Sequence, residues 1–352
     1  MKFCVRVWGT APSFVASLQT MTAITTSAPG KAVLCGEYVV LGGAVAGSMA
    51  VNRRAVVTLR PHALDYSTVH SPGYVDGEFR FRSANDGSLA WIDPSPSPDA
   101  FRLLEVAWRR RSGVGNVALT LDTRAFHDPA SRSKLGLGSS AALATALVAA
   151  LNRQTAQEQA SVFSLAREVH SEFQRGRGSG IDVATSVHGG IIAYRPEKDV
   201  SELRWPAGLG YRLYWSGVSA DTVTQLASYR QSARPDADRQ LIAATDAVLA
   251  AIRDGSSAPL IRVFDTYVDA LFEFDQANEL GIFSAGHDKL AELARGIEGC
   301  VYKPCGAGGG DIGIALANRE RVLDDFTLAA EEYGFAPLDA GLDVVGLRAG
   351  TG

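Results

Sequence analysis

The segment Lys134-Leu135-Gly136-Leu137-Gly138-Ser139-Ser140-Ala141-Ala142 constrains this chain more than any other. It runs straight into Ser139–Asn152, a helical stretch that is apolar on nearly every side. A helix with no polar face has to be buried, so the glycine loop before it is anchored to a core. Glycine allows positive φ and leaves no Cβ in the path of a ligand. The first amides of a helix have no internal partners, and the dipole favours an anion there. That dipole is worth only about 0.3–1 kcal/mol, or ~2 when partly buried. A triphosphate therefore also needs several amides, Lys134 and a metal. The hydroxyl of Ser139 or Ser140 can ligate Mg²⁺, which keeps several waters and takes few protein ligands. The bland alternative is a Gly-Ser cap on a buried helix, but two glycines plus two serines exceed what a cap needs. The spacing is neither the standard P-loop nor the dinucleotide-binding pattern.

Three further segments share this character. Lys303-Pro304-Cys305-Gly306-Ala307-Gly308-Gly309-Gly310-Asp311 has four glycines in five residues and cannot be a helix or strand interior there. It reads as a loop that orders over a ligand, with Lys303 adding positive charge, or as a plain linker. Ser27-Ala28-Pro29-Gly30-Lys31 reads as a turn before a strand, which could aim Lys31 into a cleft. Gly176-Arg177-Gly178-Ser179-Gly180-Ile181-Asp182 makes Asp182 either a helix N-cap or a rigidly held functional carboxylate.

Length and charge narrow the class. The 352 residues allow about two domains. Lys and Arg number 34 against 38 Asp and Glu, a net charge of −4, which argues against nucleic acid held by bulk charge. No apolar run is long enough for a membrane helix. Cys4, Cys35, Cys300 and Cys305 form no C-x-x-C pair, so reduced thiols in a cytoplasmic protein are the simple reading. Residues 1–22 read as an N-terminal extension, frayed or preceding a true start at Met21.

Strands are expected over Val33–Val40 and Ala46–Leu59, hairpins over 62–100, and helices over Ser139–Asn152 and Glu158–Gln174. Val183–Tyr194 reads as a strand pair or a helix end feeding a strand. Helices follow near 220–233, 238–253, 257–277 and 286–297; in the third, Phe264, Val268, Leu271 and Phe272 share one face. Ile312–Leu316 is a strand, Arg319–Tyr333 a helix and Leu342–Leu347 a closing strand. The mixture is α+β, with domains expected over 23–200 and 201–352.

In order and spacing, the four segments resemble the GHMP kinase superfamily, from Ser27 to the C-terminus. Lys134 directly before Leu135-Gly136-Leu137-Gly138-Ser139-Ser140 is similar to the phosphomevalonate kinase branch. So is the Lys303–Asp311 segment, with Cys305 where that branch has Ser, and Trp215-Ser216-Gly217-Val218-Ser219-Ala220-Asp221-Thr222, with Asp221 for Ser. Pro337-Leu338-Asp339 and Gly341-Leu342-Asp343 resemble its closing segment.

The resemblance implies a two-domain α+β kinase, with an N-terminal domain like ribosomal protein S5, a ferredoxin-like C-terminal domain and the active site between them. ATP phosphates would lie on Gly136, Leu137, Gly138, Ser139, Ser140 and Ala141. Mg²⁺ would be held by Ser139 or Ser140 and by Glu172, ten residues before Asp182. Asp182 matches the superfamily's catalytic aspartate and Lys31 its neighbouring lysine; Lys134 joins them as countercharge. A phosphorylated acceptor needs cations of its own, and Arg175 and Arg177 are first choices ahead of Arg53, Arg54 and Arg132. Lys31, Ser179, Gly180, Ser219, Gly306, Ala307 and Gly308 complete the expected acceptor site. Cys305 is expected still to offer its amide to phosphate. The implied reaction is phosphorylation of 5-phosphomevalonate by ATP, with mevalonate, a sugar or an amino-alcohol as the alternative acceptor, and a non-catalytic nucleotide-binding relative as the remaining alternative. A homodimer is left open.

Overall fold

The computed structural model describes residues 22–351, apart from 93, 98, 112, 156–161, 177, 197, 199, 221–224, 226–228, 230–233 and 256. The expected N-terminal extension, Arg177, Asp221 and most of the expected helix at 220–233 lie outside the described residues.

The chain begins β1 (Ile24–Cys35), β2 (Ala46–Pro61), β3 (Ser67–Ser71), β4 (Val75–Ser83), β5 (Leu89–Ile92), α1 (Arg102–Arg109) and β6 (Val117–Asp122). Then come α2 (Ser139–Gln154), α3 (Val162–Phe173), α4 (Ile181–His188), β7 (Ile191–Tyr194), β8 (Ser201–Leu203) and β9 (Gly210–Trp215). It ends α5 (Pro235–Asp254), α6 (Ser257–Asn278), α7 (His287–Arg295), β10 (Cys300–Pro304), β11 (Ile312–Ala317), α8 (Glu320–Glu332), β12 (Ala336–Leu338) and β13 (Arg348–Thr351).

The long β2 organises the first sheet. It pairs with β1 along one edge, and with β7 and then β6 along the other, in the order β13-β1-β2-β6-β3-β4-β5. The apolar α2 lies against β1 and β2 and is covered by α3 and α4, with Ala144, Leu147, Val148 and Leu151 all buried. That is why it has no polar face. The second sheet, β10-β11-β9-β12, is antiparallel throughout. One continuous core joins the two sheets: Leu34, Met49 and Val51 share a cluster with Leu213, Leu249 and Ile314.

Several expectations are corrected. Ser27–Lys31 is not a turn before a strand but lies inside β1, at a register shift between Pro29 and Gly30. β13 pairs only with Ile24–Ser27, so the missing N–H of Pro29 breaks no ladder on that side. Residues 342–347 are irregular apart from a bridge between Leu342 and Val51, and the closing strand is β13. The first sheet also takes in the short β8 and, at the chain's end, β13. In α6, Phe264, Val268 and Leu271 are buried but Phe272 is exposed, its ring against Phe283. Eight helical residues overshoot two turns, enough to carry Phe272 off the buried stripe.

Candidate active site

The glycine loop is pinned by its leucines. Leu135 and Leu137 are buried, while Gly136 and Gly138 line a cavity. Past the reach of β13, the backbone of β1 bonds to this loop instead, Lys31 N–H donating to Leu137 O at 2.8 Å. The approach is so close that a Cβ on Gly30 would sit 2.6 Å from Leu137 O and 2.7 Å from the Phe126 ring. The stem of Lys31 then crosses Gly138, and its Nζ lies 3.6 Å from Asp182 Oδ1. Asp182 stands in the first turn of α4, capped by Gly180, so it is not the N-cap that one reading allowed. The cap of α2 is Gly138, with φ 78 and no side-chain hydrogen bond, which leaves the first amides of α2 open to a ligand.

The two serines are not equivalent. Ser140 Oγ shares a 3.0 Å hydrogen bond with His170 Nε2. Burial pushes the His170 pKa down, with Asp182 opposing. Ser139 has no hydrogen-bond partner among the described residues and lines the cavity. Glu172 does not reach either serine; it is ion-paired with Arg109 at 2.8 Å and Arg110 at 2.6 Å. Two helical steps turn it about 200° from His170, onto the opposite face of α3. The described residues hold no cluster of three His, Cys, Asp or Glu side chains. The free Ser139 hydroxyl and the part-exposed Asp182 carboxylate still fit Mg²⁺, whose other ligands are waters and phosphates.

Lys134 is exposed, its ammonium 5.5 Å from the centre of the Tyr74 ring. Ser219 Oγ donates to Lys134 O at 3.4 Å. Asp311, absent from the expected site, packs against Gly136 and accepts the Ala220 amide at 3.1 Å. Burial pushes its carboxyl up, while the Ala220 amide, Lys31 and Lys134 pull it partway back. It is visible in the sequence as the end of the second glycine segment, but only the fold puts it beneath the first.

That second segment is built differently from its expectation. Lys303 belongs to β10 and is turned inward, donating to Glu37 Oε1 at 2.5 Å and Val33 O at 3.2 Å. Tyr267 donates to the other oxygen of Glu37. Burial alone would lower the Lys303 pKa, but Glu37 outweighs it and holds the ammonium. The Cys305 amide donates to Ile312 O at 2.9 Å, so it is not available to phosphate. Gly306 and Ala307 do face the cavity, and Tyr38 OH donates to Ala307 O at 2.6 Å. Gly308 packs against Ile282 and lines no described cavity, and Ala141 is buried behind its loop.

The cavity lined by the glycine loop has a volume of about 400 Å³. Its lining combines apolar side chains, Phe101, Leu104, Phe126, Leu143 and Phe173 among them, with the polar Lys31, Lys134, Ser139 and Asp182. A smaller space of about 100 Å³ continues from Lys31 and Asp182 past Tyr38, Ser179 and Gly180. Of the expected arginines, the four that are described are not brought here. Arg175 is exposed and lines no described cavity, and Arg132 is a surface residue 3.9 Å from Asp76. Arg53 and Arg54 tie down the C-terminal segment, Arg53 on Asp339 O and Arg54 on Asp343 and Gly346 O.

The profile of the GHMP kinases N terminal domain matches residues 102–190. The phosphomevalonate kinase of Streptomyces sp. (strain CL190) is 30% identical over 347 residues, covering 86% of this chain and 91% of that protein. The mevalonate kinase of Archaeoglobus fulgidus is 28% identical over 323 residues, covering 88% and 97%. Among solved structures, Streptococcus pneumoniae phosphomevalonate kinase in complex with phosphomevalonate and AMPPNP has a TM-score of 0.74 at 19% identity, covering 90% of this chain and 99% of that one. The Lin0012 protein of Listeria innocua has a TM-score of 0.80 at 21% identity, covering 94% and 100%. At those identities the structures speak to fold alone.

Proposed function

The chain belongs to the GHMP kinase family, and from that premise we propose that it transfers the γ-phosphate of ATP to (R)-5-phosphomevalonate, giving (R)-5-diphosphomevalonate on the mevalonate route to isoprenoids. The observation that carries this reading is the position of Lys31. Its ammonium stands where the nucleotide-sized cavity meets the smaller one, 3.6 Å from Asp182 and beside Gly138 and Gly306.

A phosphomonoester acceptor has a second pKa of about 6, so its oxygen is already largely deprotonated at neutral pH. The obstacle is repulsion between two anions. Two unit charges about 5 Å apart repel by ~0.8 kcal/mol in water and by ~3 kcal/mol at an effective dielectric of 20, and several such pairs act together. Lys31 and Lys134 supply fixed countercharge near the reacting oxygens, and the open amides of α2 supply more. Mg²⁺ bound at Ser139 and Asp182 would add neutralising charge on the phosphates. Asp182 chiefly positions Lys31, consistent with their ion pair.

The division near residue 200 into the family's two domains, and a cytoplasmic location, belong to the same reading. Among the described residues no helix is long and apolar enough to cross a membrane. The mevalonate kinase relatives favour mevalonate as a second reading. ADP release measured with phosphomevalonate, mevalonate, homoserine and galactose tests both. Phosphomevalonate should give the highest kcat/KM, and preference for any other acceptor overturns the first reading.

A further inference from the structure

The cleft does not end at Lys31 and Asp182. The 100 Å³ space shares Val40, Leu41, His170, Gln174 and Ser179 with a third cavity of about 340 Å³. One face of α3 forms its wall, with Arg167, His170, Ser171 and Gln174 at helical spacing. Gln174, just past the end of α3, also lines the 400 Å³ cavity, so the passage runs beside α3 for about 10 Å and takes in Arg167.

Arg167 is half-buried, its stem laid over Gly180, where a Cβ would come within 3.2 Å of its Cδ. Among the described residues no carboxylate lies within salt-bridge distance of its guanidinium, whose recorded contact is the Phe163 ring, 6.0 Å to the centroid. The neighbouring acid in the wall, Glu168, is already bound to Arg110 at 2.9 Å. A half-buried guanidinium with no carboxylate partner among the described residues, lining a cavity that adjoins the acceptor space, is suited to a planar anion.

We propose that Arg167 binds the carboxylate at the far end of the acceptor and so selects short acids over uncharged alcohols and sugars. This rests on the reading above, in which the acceptor's reacting oxygen lies at Lys31 and Asp182. An acceptor with its carboxylate opposite its reacting end would lie along this passage, from Lys31 and Asp182 toward Arg167. Arg167 is thus a specificity residue, remote from the transferred phosphoryl group.

The test compares phosphomevalonate with its carboxyl-reduced analogue, the corresponding triol 5-phosphate, in the full-length enzyme. Wild type should prefer the acid by about 100-fold in kcat/KM, the scale of a charge-assisted pair in a desolvated site. Arg167→Met should raise KM for phosphomevalonate about 30- to 100-fold, leave kcat and KM for ATP within about 3-fold, and abolish the preference. Arg167→Lys keeps stem and charge but loses the planar fork, so its KM should rise only about 3- to 10-fold. It carries the test if melting shows Arg167→Met to be unstable. An unchanged KM in both variants, or a preference for the acid that survives Arg167→Met, overturns the proposal. Should wild type use mevalonate rather than phosphomevalonate, the proposed acceptor fails, and Arg167 is judged by the same comparison on mevalonate and its triol. Preference for galactose, which has no carboxylate, overturns both.

Discussion

Two lysine-led glycine segments meet at one cleft and do opposite work. In 134–140 the lysine is exposed on the lining of the cavity and the leucines are buried, so the charge faces the cavity. In 303–310 the lysine side chain is 1% exposed and ion-paired with an equally buried Glu37, so its charge holds the end of β1 to β10. The lysine that packs against the first loop is Lys31, from β1, 12% exposed and 3.6 Å from Asp182. The lesson is that a lysine beside glycines announces phosphate chemistry only if the strand it sits on turns it outward.

Breaking the buried pair should give the largest effect. Lys303→Met leaves the Glu37 carboxylate buried without its cation and should cost about 3–5 kcal/mol of stability, read from the denaturant midpoint. Adding Glu37→Gln should restore part of that loss. A midpoint that barely moves would remove the structural role given to Lys303. Lys134→Met should do the reverse, lowering kcat by about 10²–10³-fold while the midpoint stays put. Asp182→Asn should cost less than Lys134→Met; a far larger loss would make Asp182 a base and not a positioning group.

The smallest effect sharpens the account of the second segment. Burial pushes His287 down to about 4, while its ring bridges Tyr302 OH and Gly310 O. An unfolded histidine titrates near 6.5. Between those values the unfolded chain takes up a proton that the fold refuses. Stability is thus full above about pH 6.5 and is lost as pH falls toward about 4, by on the order of 3 kcal/mol at most. Thermal melts across that range should show the slope, and His287→Gln should lose it.

Much of the fold was legible in local pattern. The period-free apolar run of α2 demanded burial, and the hairpins at 62–100 follow from their turn residues. The candidate site was legible where chemistry and backbone coincide: Lys31, Gly136, Gly138, Ser139 and Asp182 do converge on one cavity. Glu172 was misplaced because its helical phase relative to Asp182 depends on where α3 stops, and spacing across a loop does not encode that. Asp311 and His170 were missed because each owes its place to a partner distant in sequence: Gly136 and Ser140 respectively.

By itself, then, the sequence determined which stretches could turn tightly, which helix had to be buried, and which groups could carry charge to a phosphate. Those are properties of a few neighbouring residues, set by φ, ψ and side-chain chemistry. Which lysine faces the cavity and which is locked inside was decided by how β1, β10 and α6 pack, because burial and ion pairing depend on contacts made across more than two hundred residues of chain.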